Sequence, residues 1–249
     1  MNAALKRYTP IAFSFGGGLA LWEIVGRHTS AAFLVPLSAT LERLLQLYET
    51  GRLVELFLSS ASLFATGFVA AVIVGMPLGL LLARVRVLRE ALDLYIMILY
   101  ATPMVALIPF ILSLLGFGFV PKALVVFLFA VFPILYNTVE GARSIKPELI
   151  EVARSYRSRE WALWREVMVP YTLPYTMTGV RQAIARALVG MVAAEFFLSS
   201  SGLGGLIMTT SQSFDTAGVF AAMLIIGVLG VALTRVGTLL EAHFARWRD

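Results

Sequence analysis

Six stretches of the chain are apolar almost without interruption, at about 10–25, 60–83, 91–115, 122–139, 172–198 and 217–240. Crossing the hydrocarbon core of a bilayer takes about 20 helical residues, so each stretch predicts a membrane span. The first is preceded by Lys6 and Arg7, the pattern of a signal peptide. Glu23 interrupts its end and no small-x-small cleavage site follows, so we read it as an uncleaved helix. Pro103 and Pro109 interrupt the third stretch. Both remove backbone donors, which predicts either a kink or a broken helix lining a pathway. Gly75 with Gly79, and Gly227 with Gly230, are candidates for close helix contact. The run Gly16-Gly17-Gly18 lacks the Lys and Ser/Thr that a phosphate loop requires.

Two connecting stretches have patterns of their own. Within 27–58, Leu41, Leu44, Leu45 and Tyr48 recur at helical spacing among Glu42, Arg43 and Glu49. That predicts an amphipathic helix, either lying in the membrane interface or packed on the outer face. The loop 141–170 is richly charged, and Pro147 and Glu148 there form a helix start. Leu149, Ala153 and Tyr156 then share one face, and Trp161, Trp164 and Met168 share another. Pro170 and Pro174 mark the return to the membrane. The expectation is two short amphipathic helices outside the bilayer. Exposed aromatics are costly unless covered, by the membrane surface or by a partner's groove.

Composition agrees with the pattern. Hydrophobic residues make up 59% of the 249 and charged ones 14%, far from the balance of a soluble domain. The mean hydropathy is +0.85. Six spans leave too little chain for a separate soluble domain, so a single all-α integral membrane domain over 1–249 is expected. There is no cysteine, hence no disulfide or thiolate site. The net charge of +5 does not point to nucleic acid. With the N-terminus inside, thirteen of the twenty Lys and Arg fall on cytoplasmic segments, four outside and three within spans. This is the positive-inside bias, with both termini cytoplasmic.

Enzyme chemistry finds no support. His28 and His243 fall at span ends on opposite sides, and neither HExxH nor a Walker A sequence occurs. A serine nucleophile would lack a base. The ionisable residues within the fifth stretch are Arg181, Arg186 and Glu195. The two arginines are expected to snorkel toward the cytoplasm. Glu195 is a pathway candidate or a structural contact to a neighbouring helix or to Ser199–Ser201. The small, uncharged stretch Ser199 to Gly205 reads as an outer gate or a turn.

The run Glu151-Val-Ala-Arg-Ser-Tyr-Arg157, followed by Trp161, Pro170 and Leu173-Pro174-Tyr175, resembles the EAA loop of ABC importer permeases. Phe132-Pro-Ile-Leu-Tyr-Asn-Thr, Pro147-Glu-Leu-Ile-Glu, Ala194-Glu-Phe-Phe-Leu-Ser-Ser-Ser-Gly-Leu-Gly, Ser213-Phe-Asp-Thr and Arg246-Trp-Arg are similar to its nitrate, sulfonate and taurine branch. The resemblance implies a permease subunit with a coupling helix between spans four and five. Glu151, Ala153, Tyr156, Arg157, Trp161, Trp164 and Pro170 would then serve the groove of a separate ATPase subunit. ATP and Mg would sit on that partner, with no cofactor on this chain. A substrate-binding protein outside, a second permease copy and the bacterial inner membrane complete the implied assembly. The pathway candidates are Pro103, Pro109, Glu195, Ser199 and Ser200. The implied solute is nitrate, a sulfonate, taurine or a similar anion, although related permeases serve pyrimidine or vitamin precursors. A stand-alone secondary transporter would predict internal repeats, which the chain lacks. One position departs from the family, which has glycine where Arg157 stands. Arginine resists positive φ, so either the turn is built differently here or a partner compensates.

Overall fold

The computed structural model describes residues 3–198 and 201–245. All regular elements among them are helical. In chain order they are α1 (Ala3–His28), α2 (Leu37–Glu49), α3 (Arg52–Arg84), α4 (Arg86–Ala101), a 3₁₀ turn (Met104–Leu107), α5 (Ile108–Leu115), α6 (Phe119–Arg143) and α7 (Pro147–Ser155). Then come α8 (Glu160–Leu163), a π turn (Trp164–Met168), α9 (Val169–Leu198), α10 (Gly202–Gln212) and α11 (Thr216–Ala245).

Among the described residues, three helices are long and apolar enough to cross a membrane: α3, α6 and Thr216–Phe244 of α11. The number rises to five if each of two broken helix pairs is one span. The six expected spans all fall on helix, but α1 is not in that set. Its glycine run and its charges dilute its apolar character. The third stretch breaks where the prolines lie. α4 ends at Ala101, Pro103 precedes the 3₁₀ turn, Pro109 occupies the first turn of α5, and the chain bends by 96°.

The chain divides into two compact units, Met1–Ser59 with Ser200–Gly227, and Ser60–Ser199 with Val228–Asp249. In the first, α2 packs through Leu44 and Leu47 onto Leu203, Leu206, Ala221 and Ala222. Its other apolar row, Leu41, Leu45 and Tyr48, stays exposed. Glu23 has a structural task. Its carboxylate accepts hydrogen bonds from the backbone N–H and hydroxyl of Ser38, both at 2.9 Å, and so satisfies a first-turn donor of α2. Gly202 to Gln212, part of which reads as a turn or gate from sequence, is a helix instead. Gly202, Leu203, Gly204, Gly205 and Leu206 are buried, so small size here serves packing.

The second unit is organised around α6 and α9. They run antiparallel, with Gly141 against Tyr175, Gly179 against Pro133 and Asn137, and Gly190 against Phe129. A Cβ at Gly179 would meet the Pro133 carbonyl oxygen at 2.7 Å. α3 lies parallel to α6 along a small-residue row. Gly67 meets Val126, Ala71 is fully buried, Gly75 meets Ile134 and Gly79 meets Thr138. Backbone approach of this kind replaces the hydrophobic drive that lipid cannot supply. Gly230 and Gly237 meet Leu188 and Ile184 of α9, whereas Gly227 faces open space and is not a contact residue. The buried hydroxyls of Thr138 and Thr176 hydrogen-bond each other at 3.0 Å, and the one that accepts donates its own proton to a carbonyl one turn back, Ile134 at 2.7 Å for Thr138 or Thr172 at 3.3 Å for Thr176.

Candidate functional site

Two features of the second unit carry functional residues. The first is the polar connector between α6 and α9. α7 starts as expected, with Pro147 in its first turn and Glu148 at its positive end. It terminates in a Schellman arrangement. The Ser158 N–H bonds to the Ala153 carbonyl at 3.1 Å, and the Arg157 N–H to the Arg154 carbonyl at 2.8 Å. Arg157 is the left-handed residue of this turn, at φ 53°. The turn is therefore of the kind glycine favours, held by an arginine. Ser155 also bonds back to Glu151 within the helix.

The second half of the connector differs from expectation. It is not a separate short helix ending at Pro170. α8, the π turn and α9 are contiguous, and Pro170 lies in the first turn of α9. Leu163 and Met168 are buried and Trp164 is half-buried, so this face anchors the helix. The Arg84 guanidinium bonds both oxygens of Glu160 at 2.9 and 3.0 Å and ties α8 to the end of α3. Tyr171 donates to the Ser144 carbonyl at 3.0 Å, which closes the base of the loop. The outward surface mixes charged side chains, among them Glu148, Arg154, Arg157 and Arg159, with exposed apolar ones. Tyr156 is 83% exposed and Trp161 75%, with Leu149 and Val152 also exposed, while Ala153 is half-buried. Glu151 is exposed beside them.

The second feature lies at the break after α4. Tyr100 stacks on Tyr136 with ring centroids 6.1 Å apart and meets Phe132 edge-on at 6.4 Å. The Arg186 guanidinium sits over the Tyr100 ring at 5.2 Å and donates to its hydroxyl at 3.2 Å. Two cavities flank Tyr100 and Phe132. One, of about 370 Å³, includes Thr102, Met104, Phe129 and Arg186. The other, of about 570 Å³, includes Glu90, Asp93, Met97 and Tyr136. Pro103 lies between two lining residues of the first cavity, while Pro109 lines neither.

Two of the other intramembrane charges, Arg181 and Glu195, have partners, whereas Arg235 of α11 is exposed and forms no ion pair among the described residues. Arg181 does not snorkel freely. It pairs with Glu241 of α11, whose carboxylate also accepts from Thr178 at 2.6 Å. Glu195 is 1% exposed and accepts from the Ser60 hydroxyl of α3 at 2.7 and 2.9 Å. That is the helix-to-helix contact anticipated as one of its two readings. Ser199 and Ser200 lie outside the described residues, as do Arg246, Trp247 and Arg248. Sequence reasoning missed Tyr100, Tyr136, Glu241 and the Arg84–Glu160 pair. The available signal was the tyrosine one residue before the helix break, and a Glu near the end of the last span.

A family model for the binding-protein-dependent transport system inner membrane component matches residues 75–247. The chain is 37% identical to the riboflavin transport system permease protein RibX of Chloroflexus aurantiacus, across 87% of this chain and 81% of that one. It is 30% identical to the putative aliphatic sulfonates transport permease protein SsuC of Bacillus subtilis, across 93% and 84%. With the nitrate import permease protein NrtB of Synechocystis sp. the identity is 29%, across 74% and 67%. In structure it is similar to a chain of the MetNI methionine ABC transporter in an inward-facing conformation. The TM-score is 0.65 at 18% identity, over 77% of this chain and 95% of that chain.

Proposed function

We infer the function from the premise that this chain belongs to the family of binding-protein-dependent transport system inner membrane components, and so is a permease subunit of an ABC transporter. Our reading is that it forms the translocation pathway of an ATP-driven importer for a small anion such as nitrate, a sulfonate or taurine. It binds no cofactor of its own and hydrolyses nothing. Two copies enclose the pathway, a separate ATPase carries ATP and Mg on the cytoplasmic side, and a binding protein delivers solute from outside. The membrane is the bacterial inner membrane, with both termini in the cytoplasm.

The observation that supports the coupling assignment is α7 with its turn. Leu149, Val152, Tyr156 and Trp161 are exposed together on a connector anchored at both ends. Solvent gives such a surface nothing in return, and a groove on an ATPase would. ATP binding would close the ATPase pair, draw the two connectors together and move α9 through the contiguous α8. The test is co-purification with the cognate ATPase. Association should persist in the intact chain and fall when Glu151 through Trp164 is replaced by a Gly/Ser stretch. Equal association in both would sink the assignment.

A second reading keeps the family and changes the solute. The 37% identity to a riboflavin permease favours a vitamin-type substrate over an inorganic anion. ATP-driven uptake of riboflavin, with none of nitrate or sulfonate, would establish it.

A further inference from the structure

We propose that Arg186, held over Tyr100 beside the break after α4, is the point in the membrane where a permeating oxyanion is recognised. This inference rests on the permease reading and names the solute chemistry that reading leaves open. The charge lies deep. Arg186 is about 25 Å along the helix from Val169 and about 18 Å from Leu198, at roughly 1.5 Å per residue. At that depth an ionised side chain faces lipid only at high cost, so its surroundings are protein or a water-filled path. Yet its own side of α9 is open within one chain. Gln182, Ala185, Arg186 and Val189 share an exposed face at helical spacing.

Its pairing is incomplete. Five residues earlier, Arg181 is neutralised by Glu241. Among the described residues no carboxylate pairs with Arg186, whose one hydrogen bond goes to the uncharged Tyr100 hydroxyl. A guanidinium has five donors, so most of its fork is unengaged. The cavity it lines is otherwise built of apolar side chains and Thr102, whose hydroxyl is already bonded to the Ile98 carbonyl at 2.8 Å. In low-dielectric surroundings a fixed cation attracts an anion far more strongly than in water. The planar fork matches the paired oxygens of nitrate or of a sulfonate headgroup, which an ammonium does not. Tyr100 holds the fork from its ring face and leaves the remaining donors for the solute. In the adjoining cavity the carboxylate of Glu90 is spanned by Arg86 at 2.6 Å, which reduces its repulsion of an anion, while Asp93 forms no ion pair among the described residues and would turn an anion toward the Arg186 side. A neutral solute would leave the Arg186 charge uncompensated at every passage.

The experiment uses the complete importer, permease with its ATPase and binding protein, in proteoliposomes. ATP-driven uptake of nitrate, of methanesulfonate and of riboflavin is measured for the wild type, Arg186→Gln, Arg186→Lys and Tyr100→Phe. Chromatography of each complex reads its assembly. The wild type should take up one of the two oxyanions, and which one identifies the headgroup. Arg186→Gln should lose at least 100-fold of that uptake in a complex that still assembles. Arg186→Lys should recover part of it, since the charge returns without the fork, and Tyr100→Phe should lose less than 10-fold. Oxyanion uptake by Arg186→Gln at the wild-type rate overturns the proposal. So does a wild type that moves riboflavin and neither oxyanion, an outcome that leaves the permease reading standing. Loss of the second copy in Arg186→Gln overturns it too, by making Arg186 an interchain ion-pair residue. A wild type that transports nothing with ATP, and never assembles with its ATPase, fails at the permease reading itself and takes the proposal with it.

Discussion

The seam between α6, α9 and α11 and the connector at α7 are parts of one unit, and they handle polar and apolar groups in opposite ways. Along the seam, backbones approach across Gly179, Gly141 and Gly237, Arg181 is matched by Glu241, and Thr138 is matched by Thr176. On the connector, Tyr156 and Trp161 stand in the open, largely uncovered by the described residues. Membrane packing has no hydrophobic drive behind it, so the seam depends on close fit and on paired polar groups. On the permease reading the connector is in water, where apolar exposure does carry a cost. The seam is built to hold its geometry alone. On the permease reading the connector is completed by the ATPase.

Substitutions along the seam should therefore cost stability, and those on the connector should cost association. The largest effect is expected at Gly179→Leu. A side chain there begins 2.7 Å from a carbonyl oxygen of α6 and must push the two central helices apart. Overpacking of this kind costs about 1–3 kcal/mol or more, and a backbone contact leaves little room to relax. A thermal unfolding midpoint in detergent that matches the wild type would show the seam to be loose. Next is Glu241→Gln, which leaves Arg181 with no counter-charge. A fully buried broken pair costs about 3–5 kcal/mol. Arg181 is 38% exposed and Glu241 22%, so screening reduces the expected loss to about 1–2 kcal/mol. The double variant with Arg181→Gln should regain part of it, and a double-mutant cycle with no coupling would remove the pair from the account.

Tyr156→Ala and Trp161→Ala should do the reverse. Both side chains are exposed, so stability should stay within about 0.5 kcal/mol of the wild type. Affinity for the ATPase should fall at least tenfold, about 1.4 kcal/mol, as for buried aromatic anchors at interfaces. Unchanged affinity with lowered stability would erase the contrast between the two regions.

Much of this contrast is legible in the sequence. The apolar runs locate the long helices, because period and length in a membrane protein leave few alternatives. Pro103 announces the break, and the Tyr156 and Trp161 pattern announces an exposed amphipathic turn. What the pattern hides is pairing. Arg181 and Arg186 read alike as basic residues in an apolar stretch, and only the positions of α11 and α4 show that one meets Glu241 and the other Tyr100. Glu23 is misleading in the same way. It reads as a flaw in a span and proves to cap α2. The continuity of α9 with the π turn and α8 is hidden too, because Pro170 suggests that a new helix starts there. A proline in the first turn of α9 follows a π turn without ending the helix.

The smallest expected effect is at Arg157, and it has the opposite sign. The residue occupies the left-handed position of the turn that ends α7 at φ 53°. For a residue with a Cβ that conformation costs on the order of 1 kcal/mol, which glycine does not incur. Glycine also loses more chain entropy on folding, so the two terms partly cancel. Arg157→Gly should then stabilise the permease by no more than about 1 kcal/mol, read as a small rise in the unfolding midpoint. If arginine is there only by tolerance, ATPase affinity should not change. If the guanidinium meets an acidic patch on the ATPase, affinity should fall in Arg157→Gly as stability rises, and the loss should shrink at high salt. That pair of measurements separates the strain of the turn from the charge it displays. It also decides whether the connector is completed by apolar contact alone.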